Sequence, residues 1–161
     1  MGLGVPAAVA EKLSLKTLYM PAGVGKAGGT AGWTTANDTG DARCPASQTA
    51  STFTVPVVGL QVGDIIKAFT VNAQIESGGN TVTLDCSLRK LTNAAADPAD
   101  TVPGAITQVS VTADTAVSAS KTLGTAQTVA ADEMYYLLFT ATTGASTDIR
   151  LLGVGIEIDR A

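Results

Sequence analysis

The sequence predicts an all-β chain, an antiparallel β-sandwich preceded by an extended N-terminal arm. Three observations carry that prediction. Apolar residues recur with a period of two through residues 65–88, 106–120 and 135–158. Gly-rich segments such as Ser77-Gly78-Gly79-Asn80 punctuate these runs. No stretch after residue 20 carries the 3.6-residue period of a helix, so the βαβ crossovers of a parallel α/β fold are not expected. The 161 residues amount to one domain, large enough to bury a core without a metal or a disulfide. Residues 1–50 are expected to form the arm and a loop, and residues 51–161 the sandwich.

Residues 6–16 are the one helical expectation. Pro6 suits a first helical position, and Ala7, Ala8, Ala10, Glu11 and Lys12 are fair helix formers. One or two turns need a surface to dock on. Residues 21–50 are mostly Gly, Ala, Thr and Asp around a single large anchor, Trp33, and read as an extended arm and long loop. The period then becomes two. In GDIIKAFTVNAQIES, Ile65, Phe69, Val71, Ala73 and Ile75 share one face, with Lys67 as an exception, against Thr70, Asn72, Gln74 and Glu76. In TVTLDCSLRKLT, Val82, Leu84, Cys86 and Leu88 oppose Thr81, Thr83, Asp85, Ser87 and Arg89. Alternation on both sides of a Gly-rich turn predicts an antiparallel hairpin. Residues 93–104, with Pro98 and Pro103, read as a loop. Residues 106–120 alternate weakly through Val109 and Val111, and KTLGTAQTVA reads as another strand, giving seven or eight in all.

The chain closes on YYLLFTATTGASTDIRLLGVGIEI, residues 135–158. Tyr135, Leu137, Phe139 and Ala141 share one face. Ile149, Leu151 and Leu152 resume after the loop, and Val154, Ile156 and Ile158 continue out of phase with Ile149 and Leu151. That slip predicts a β-bulge at Leu151-Leu152-Gly153. A phosphate cradle or a nucleophile elbow at TTGASTD needs a helix opening straight after the loop. A strand follows instead, so the loop is expected to be a hairpin connection. The expected core is Ile65, Phe69, Val71, Ile75, Val82, Leu84, Leu88, Tyr135, Leu137, Phe139 and Ile156.

Composition excludes several functions. Net charge is −4, and the ten basic residues are scattered, with only Arg89-Lys90 adjacent. Nucleic-acid binding needs a basic patch, so none is expected. With no histidine, Ser-His-Asp and Cys-His catalysis are out. GVGKAG, residues 23–28, matches GxGxxG, but GTAGWTTANDTGD cannot start the helix that a dinucleotide site requires. The same stretch fails the Walker A pattern at Met20 and Ala27. Asp38/Asp41, Asp97/Asp100 and Asp132/Glu133 read as turn-forming acids, with Asp97 and Asp100 the best candidates for a cation. Trp33 reads as a pin for its loop, with a sugar-stacking platform as the alternative. Cys44 and Cys86 are far apart and outside CxxC spacing; one disulfide or two separate thiols are both open, with the thiols favoured. No secretory leader and no apolar run of 18 residues is evident, so a soluble chain made in a cytosol, without membrane contact, is expected. No catalytic, cofactor-binding or metal-binding residue is expected.

GDIIKAFTVNAQIESGGNTVTLDCSLRKLT, ITQVSVTADTAVS and ADEMYYLLFTATTGASTDIRLLGVGIEI resemble β-rich virion proteins of tailed bacteriophages. Among these they look most like the small jelly-roll decoration proteins that cement the outside of a capsid. The resemblance spans roughly residues 51–159. It implies a jelly-roll-like sandwich, a homotrimer bound to the major capsid protein, and an arm (residues 1–50) reaching neighbouring subunits. It also implies a structural role without catalysis on the exterior of a virion assembled in the host cytoplasm. A similar texture occurs in receptor- or glycan-binding modules of tail and head fibres, and that is the alternative. A sandwich with few charges guarding its edges independently favours self-association.

Overall fold

The computed structural model describes residues 15–28, 32–35, 39–94 and 97–160. Among them, twelve strands build two facing antiparallel sheets. In chain order they are β1 (Leu15–Pro21), β2 (Lys26–Ala27), β3 (Thr34–Thr35), β4 (Ala42–Cys44), β5 (Ser51–Pro56) and β6 (Ile65–Glu76). There follow β7 (Val82–Thr92), β8 (Ala99–Ala105), β9 (Val109–Val111), β10 (Thr115–Thr128), β11 (Glu133–Thr142) and β12 (Asp148–Asp159). The first sheet runs β10-β6-β12-β4-β3, with β1 also paired to β12; the second runs β2-β5-β11-β7-β8, with β9 also paired to β7. This is the antiparallel sandwich that the alternation predicts.

The core lies between the sheets and follows the pleat. Val71, Ala73 and Ile75 from β6 and Ile149, Leu151, Val154, Ile156 and Ile158 from β12 are buried against Phe53 and Val55 from β5. Val82, Leu84, Cys86 and Leu88 from β7 and Tyr135, Leu137, Phe139 and Ala141 from β11 complete it. One expected core residue is displaced. Ile66 is fully buried and Ile65 only partly, because the β6–β12 register skips Lys67, pairing Ala68 with Glu157 and Ile66 with Ile158. Lys67 is thus the extra residue of a bulge, which resolves its exception to the alternation, and it forms an ion pair with Asp159. The second bulge falls where the phase slip places it, between Leu151 and Gly153.

Two hairpin expectations are corrected. β6 pairs with β10 and β12, whereas β7 pairs with β8, β9 and β11, so the turn at 77–80 carries the chain from one sheet to the other. Gly78 and Gly79 supply its positive φ angles, 51° and 81°. The loop at 143–147 likewise crosses between sheets, from β11 to β12. Both sheets bury their inner faces in one core, so a hairpin and a sheet-to-sheet crossing give the same alternation.

Further differences follow from edges and short strands. The loop expected at 93–104 contains most of β8, which is paired only to β7; Pro103 is tolerated there because an edge strand does not need every N–H. The strands expected at 106–120 and 121–130 divide differently, into short β9 and a 14-residue β10 with a register shift between Thr122 and Gln127. Residues 6–14 of the expected helix lie outside the described residues, and Leu15 and Lys16 open β1 instead. Much of residues 15–50, expected to contribute little to the core, is packed into it. Met20, Ala42 and Cys44 are buried there, since pairing β1 and β4 to β12 turns their alternate residues inward, and Ala22 and Trp33, outside those strands, are buried as well.

Candidate functional site

The outer face of the first sheet carries a shallow groove built by strand register. Two rows of facing residues cross the strands: Ser120–Thr70–Gly155–Tyr19 and Ser118–Asn72–Gly153–Pro21. Both positions contributed by β12 are glycines, so the middle of each row lacks a side chain and becomes a floor. Thr70 and Asn72 wall one side and β1 the other. Glu157 pairs with Thr17 one row further along.

Tyr19 dominates this face. It is 78% exposed, the most exposed of the large hydrophobic side chains among the described residues. A cleft of about 220 Å³ lined by Thr17, Tyr19, Thr70, Asn72, Gly155 and Glu157 lies on one side of the ring. A second of about 360 Å³, lined by Tyr19, Pro21, Asn72, Leu152 and Gly153, lies on the other. The side chains of Thr70, Asn72 and Glu157 make no hydrogen bond to another described residue and so are free to bond a ligand. Cations elsewhere on the face are engaged: Arg150 Nε lies 2.7 Å from Asp41 Oδ2, and Arg43 Nε 3.0 Å from Asp148 Oδ2. The groove offers an aromatic face, hydroxyls, one amide and one carboxylate. Such a set orients a neutral polar ligand with an apolar flank.

The residues singled out in the sequence lie elsewhere. Trp33 is 5% exposed, stacks on Phe53 at 5.0 Å between ring centroids, and donates from Nε1 to the Ser51 carbonyl at 3.3 Å. It pins its segment to the core, and its burial removes it as a sugar platform. Residues 23–28 hold the end of a short 3-10 turn (Ala22–Val24) and the two-residue β2, and the next element among the described residues is the strand β3, where a dinucleotide site would need a helix. Asp100 is held by Arg89, whose Nε donates to Oδ1 at 3.1 Å, and by the Tyr136 hydroxyl at 3.3 Å. The guanidinium holds the Asp100 carboxyl below its ordinary value. Asp97 is exposed. Asp41 is buried, accepts from the Thr39 hydroxyl and pairs with Arg150; chiefly that hydroxyl bond keeps it ionised. Asp38 lies outside the described residues.

Glu133 reaches Lys90 Nζ at 2.8 Å and accepts from the Tyr135 hydroxyl at 2.9 Å and the Ala130 N–H at 3.1 Å. Burial pushes Glu133 up, but these partners together hold it below its ordinary value. Among the described residues no group of three or more His, Cys, Asp or Glu side chains gathers as a metal would require. Cys44 and Cys86 are free, buried thiols in opposite sheets, and burial pushes Cys44 up to about 11.

No signal in the sequence marked Tyr19. Its alternation, Leu18 and Met20 inward against Thr17 and Tyr19 outward, lasts four residues, too short to count as a period.

No protein-family model matches the chain, and no curated protein matches it. Solved structures match it in shape. An endo-1,4-beta-D-xylanase 10B from Clostridium thermocellum, its CBM22-1 and GH10 modules complexed with xylohexaose, is similar over 91% of this chain and 28% of its own, at 14% identity and a TM-score of 0.53. A family two carbohydrate esterase from Cellvibrio japonicus is similar over 89% of this chain and 34% of its own, at 9% identity and a TM-score of 0.51. The chain therefore spans about a third of each. The CBM22-2 xylan-binding domain of Paenibacillus barcinonensis Xyn10C superposes at 0.49, with 13% identity over 89% of this chain and 99% of its own. At such identities the first two likenesses establish a shared β-sandwich fold.

Proposed function

We propose that the protein is a non-catalytic recognition module that binds a neutral glycan in the groove on the outer face of its first sheet. One observation carries the reading: Tyr19, 78% exposed, stands between two clefts edged by uncommitted hydroxyl, amide and carboxylate groups. A pyranose ring has faces of C–H bonds and a rim of hydroxyls. The Tyr19 ring packs one such face while Thr70, Asn72 and Glu157 bond the rim. The nearby arginines are paired to Asp41 and Asp148, so among the described residues the groove's lining offers no cation for a uronate or sulfate. The xylanase and esterase likenesses support the reading, since both proteins are described by carbohydrate chemistry. The test is isothermal titration with neutral and acidic oligosaccharides, comparing the wild-type chain with Tyr19→Ala.

The second reading is a virion structural protein that decorates a phage capsid as a homotrimer on the major capsid protein, located on the capsid exterior. The edge favours it: β10 runs 14 residues, pairs among the described residues only with β6, and carries a single charge, Lys121. Such an edge is open to further strand pairing. On a tail or head fibre the two readings meet, because a fibre module both assembles and binds glycans. Co-sedimentation with capsids separates decoration from recognition.

A further inference from the structure

We infer that the groove on the outer face of the first sheet selects a neutral sugar bearing a methyl group, which packs in the cleft shared by Tyr19 and Leu152. The inference rests on the glycan reading of that groove and narrows its ligand class. The two clefts beside Tyr19 differ in chemistry. The smaller, about 220 Å³, is edged by the Thr17 and Thr70 hydroxyls, the Asn72 amide and the Glu157 carboxylate. The larger, about 360 Å³, has Met20, Pro21, Leu152 and Val154 in its lining. Among the described residues, its polar side-chain groups are the Asn72 amide and the Tyr19 hydroxyl.

Strand register builds the apolar cleft. Against β6, β12 carries one extra residue between Leu151 and Gly153, and Leu152 is that residue. The β4 ladder ends at Leu151 and the β1 ladder at Gly153, so Leu152 also falls between the partners on the other side of β12. Leu151 is fully buried while Leu152 is 48% exposed: the bulge turns the second of two adjacent leucines outward. Tyr19 and Leu152 are two of the seven exposed large hydrophobics among the described residues, and both line this cleft. Gly153 faces Pro21 across the ladder, and a Cβ built on it would stand 2.8 Å from the Met20 carbonyl oxygen, so the floor stays bare. Pro21 has no N–H to offer a ligand. The cleft therefore presents an aromatic ring, a branched aliphatic side chain and a proline ring.

These surfaces discriminate between sugar substituents. A hydroxyl held against Leu152 and Pro21 gives up its water without gaining a partner, which weakens binding. A methyl group in the same place leaves water for apolar contact, which strengthens it. The polar cleft has the complementary task of bonding a rim of hydroxyls. Tyr19 and Asn72 border both clefts, and the floor glycines Gly153 and Gly155 lie two residues apart on β12, about 6.6 Å along the strand. Neighbouring sugars of one chain can thus occupy the two together. Two kinds of neutral sugar supply the methyl: a 6-deoxyhexose at C6, and a 2-acetamido sugar on its acetyl group.

The experiment titrates the full chain with neutral oligosaccharides matched in all but one sugar, which is a 6-deoxyhexose, its parent hexose or the 2-acetamido counterpart. The wild-type chain should bind a methyl-bearing member roughly fivefold or more tighter than its parent, the scale of one methyl group in a partly open apolar site. Which member wins identifies the source of the methyl. Leu152→Ser should abolish the preference, and Leu152→Met, which stays apolar, should keep it; Leu152→Thr serves where Leu152→Ser does not unfold cooperatively. Neutral sugars bound by the wild-type chain without preference in any matched set would overturn the inference and leave the glycan reading standing. A preference that the folded polar variant keeps would do the same. A wild-type chain that binds none of the sets would overturn both.

Discussion

Tyr19 faces Gly155 directly across the β1–β12 ladder, and a Cβ built on Gly155 would come within 3.3 Å of both Tyr19 Cε1 and Thr17 Cγ2. The ring edge occupies room that the missing side chain leaves, a packing that supports a strand glycine and orients the aromatic at once. Gly155→Val should therefore displace Tyr19 at a stability cost of about 1–3 kcal/mol, the range for overpacking. Glycan affinity should fall at least about tenfold, or 1.4 kcal/mol. Titration alongside urea unfolding checks this; unchanged affinity in a folded Gly155→Val protein would separate the glycine floor from binding.

Trp33, stacked on Phe53 and hydrogen-bonded to Ser51, ties the first third of the chain to the second sheet. Trp33→Ala should destabilise the protein by about 3–5 kcal/mol, the range for a buried aromatic. As the sole tryptophan, Trp33 should also emit in the blue and resist acrylamide quenching until the whole domain unfolds. A loss below about 1 kcal/mol, or a quenchable native signal, would return residues 15–50 to the status of a detachable arm.

What the sequence made legible was which side of each long strand faces inward. Phe69, Val71, Leu84, Leu137 and Phe139 lie where period two puts them, and the Leu152 bulge was visible as a phase slip. Which strand pairs with which was not legible. The alternation in β6 and β7 is the same whether the turn at 77–80 closes a hairpin or crosses the sandwich. Strands of two or three residues such as β2, β3 and β4 are too short for a period, so Ala42 and Cys44 read as loop. Tyr19 was missed because an exposed aromatic has no periodic signature; its meaning comes from Gly155, 136 positions away and adjacent only in the folded sheet.

Cys44 and Cys86 are buried, and burial raises both. Ellman's reagent at pH 8 should label neither in the native protein and both in urea. A raised folded value also sets the sign of an alkaline effect. The stability that Cys44 contributes is present below its ordinary 9.0 and is lost as pH climbs from there through about 11. Rapid native labelling of two thiols would place them at the surface.

Acid should destabilise the fold through a few named carboxylates. Asp41, Asp100 and Glu133 all sit below their ordinary values, so their stabilisation is complete above those values, 3.8 for the aspartates and 4.5 for Glu133. It is lost as pH falls through the lower folded values. Urea midpoints should be level from pH 7 to about 5.5 and decline below about 4. Glu133→Gln, which removes the partner of Lys90, should flatten part of that decline at a cost in stability at neutral pH. A midpoint that rises on acidification would mean that the folded carboxylates are raised instead.

The central claim is tested most directly by titrating the wild-type and Tyr19→Ala proteins with neutral oligosaccharides of several sugar types, beside a uronate-containing series. The account predicts saturable binding of at least one neutral series by the wild-type protein and weaker or no binding of the uronates. It also predicts at least a tenfold loss in Tyr19→Ala, about 1.4 kcal/mol, in a protein that still unfolds in one cooperative thermal transition. Binding that Tyr19→Ala retains in full, or a wild-type protein that binds none of the series, would contradict it.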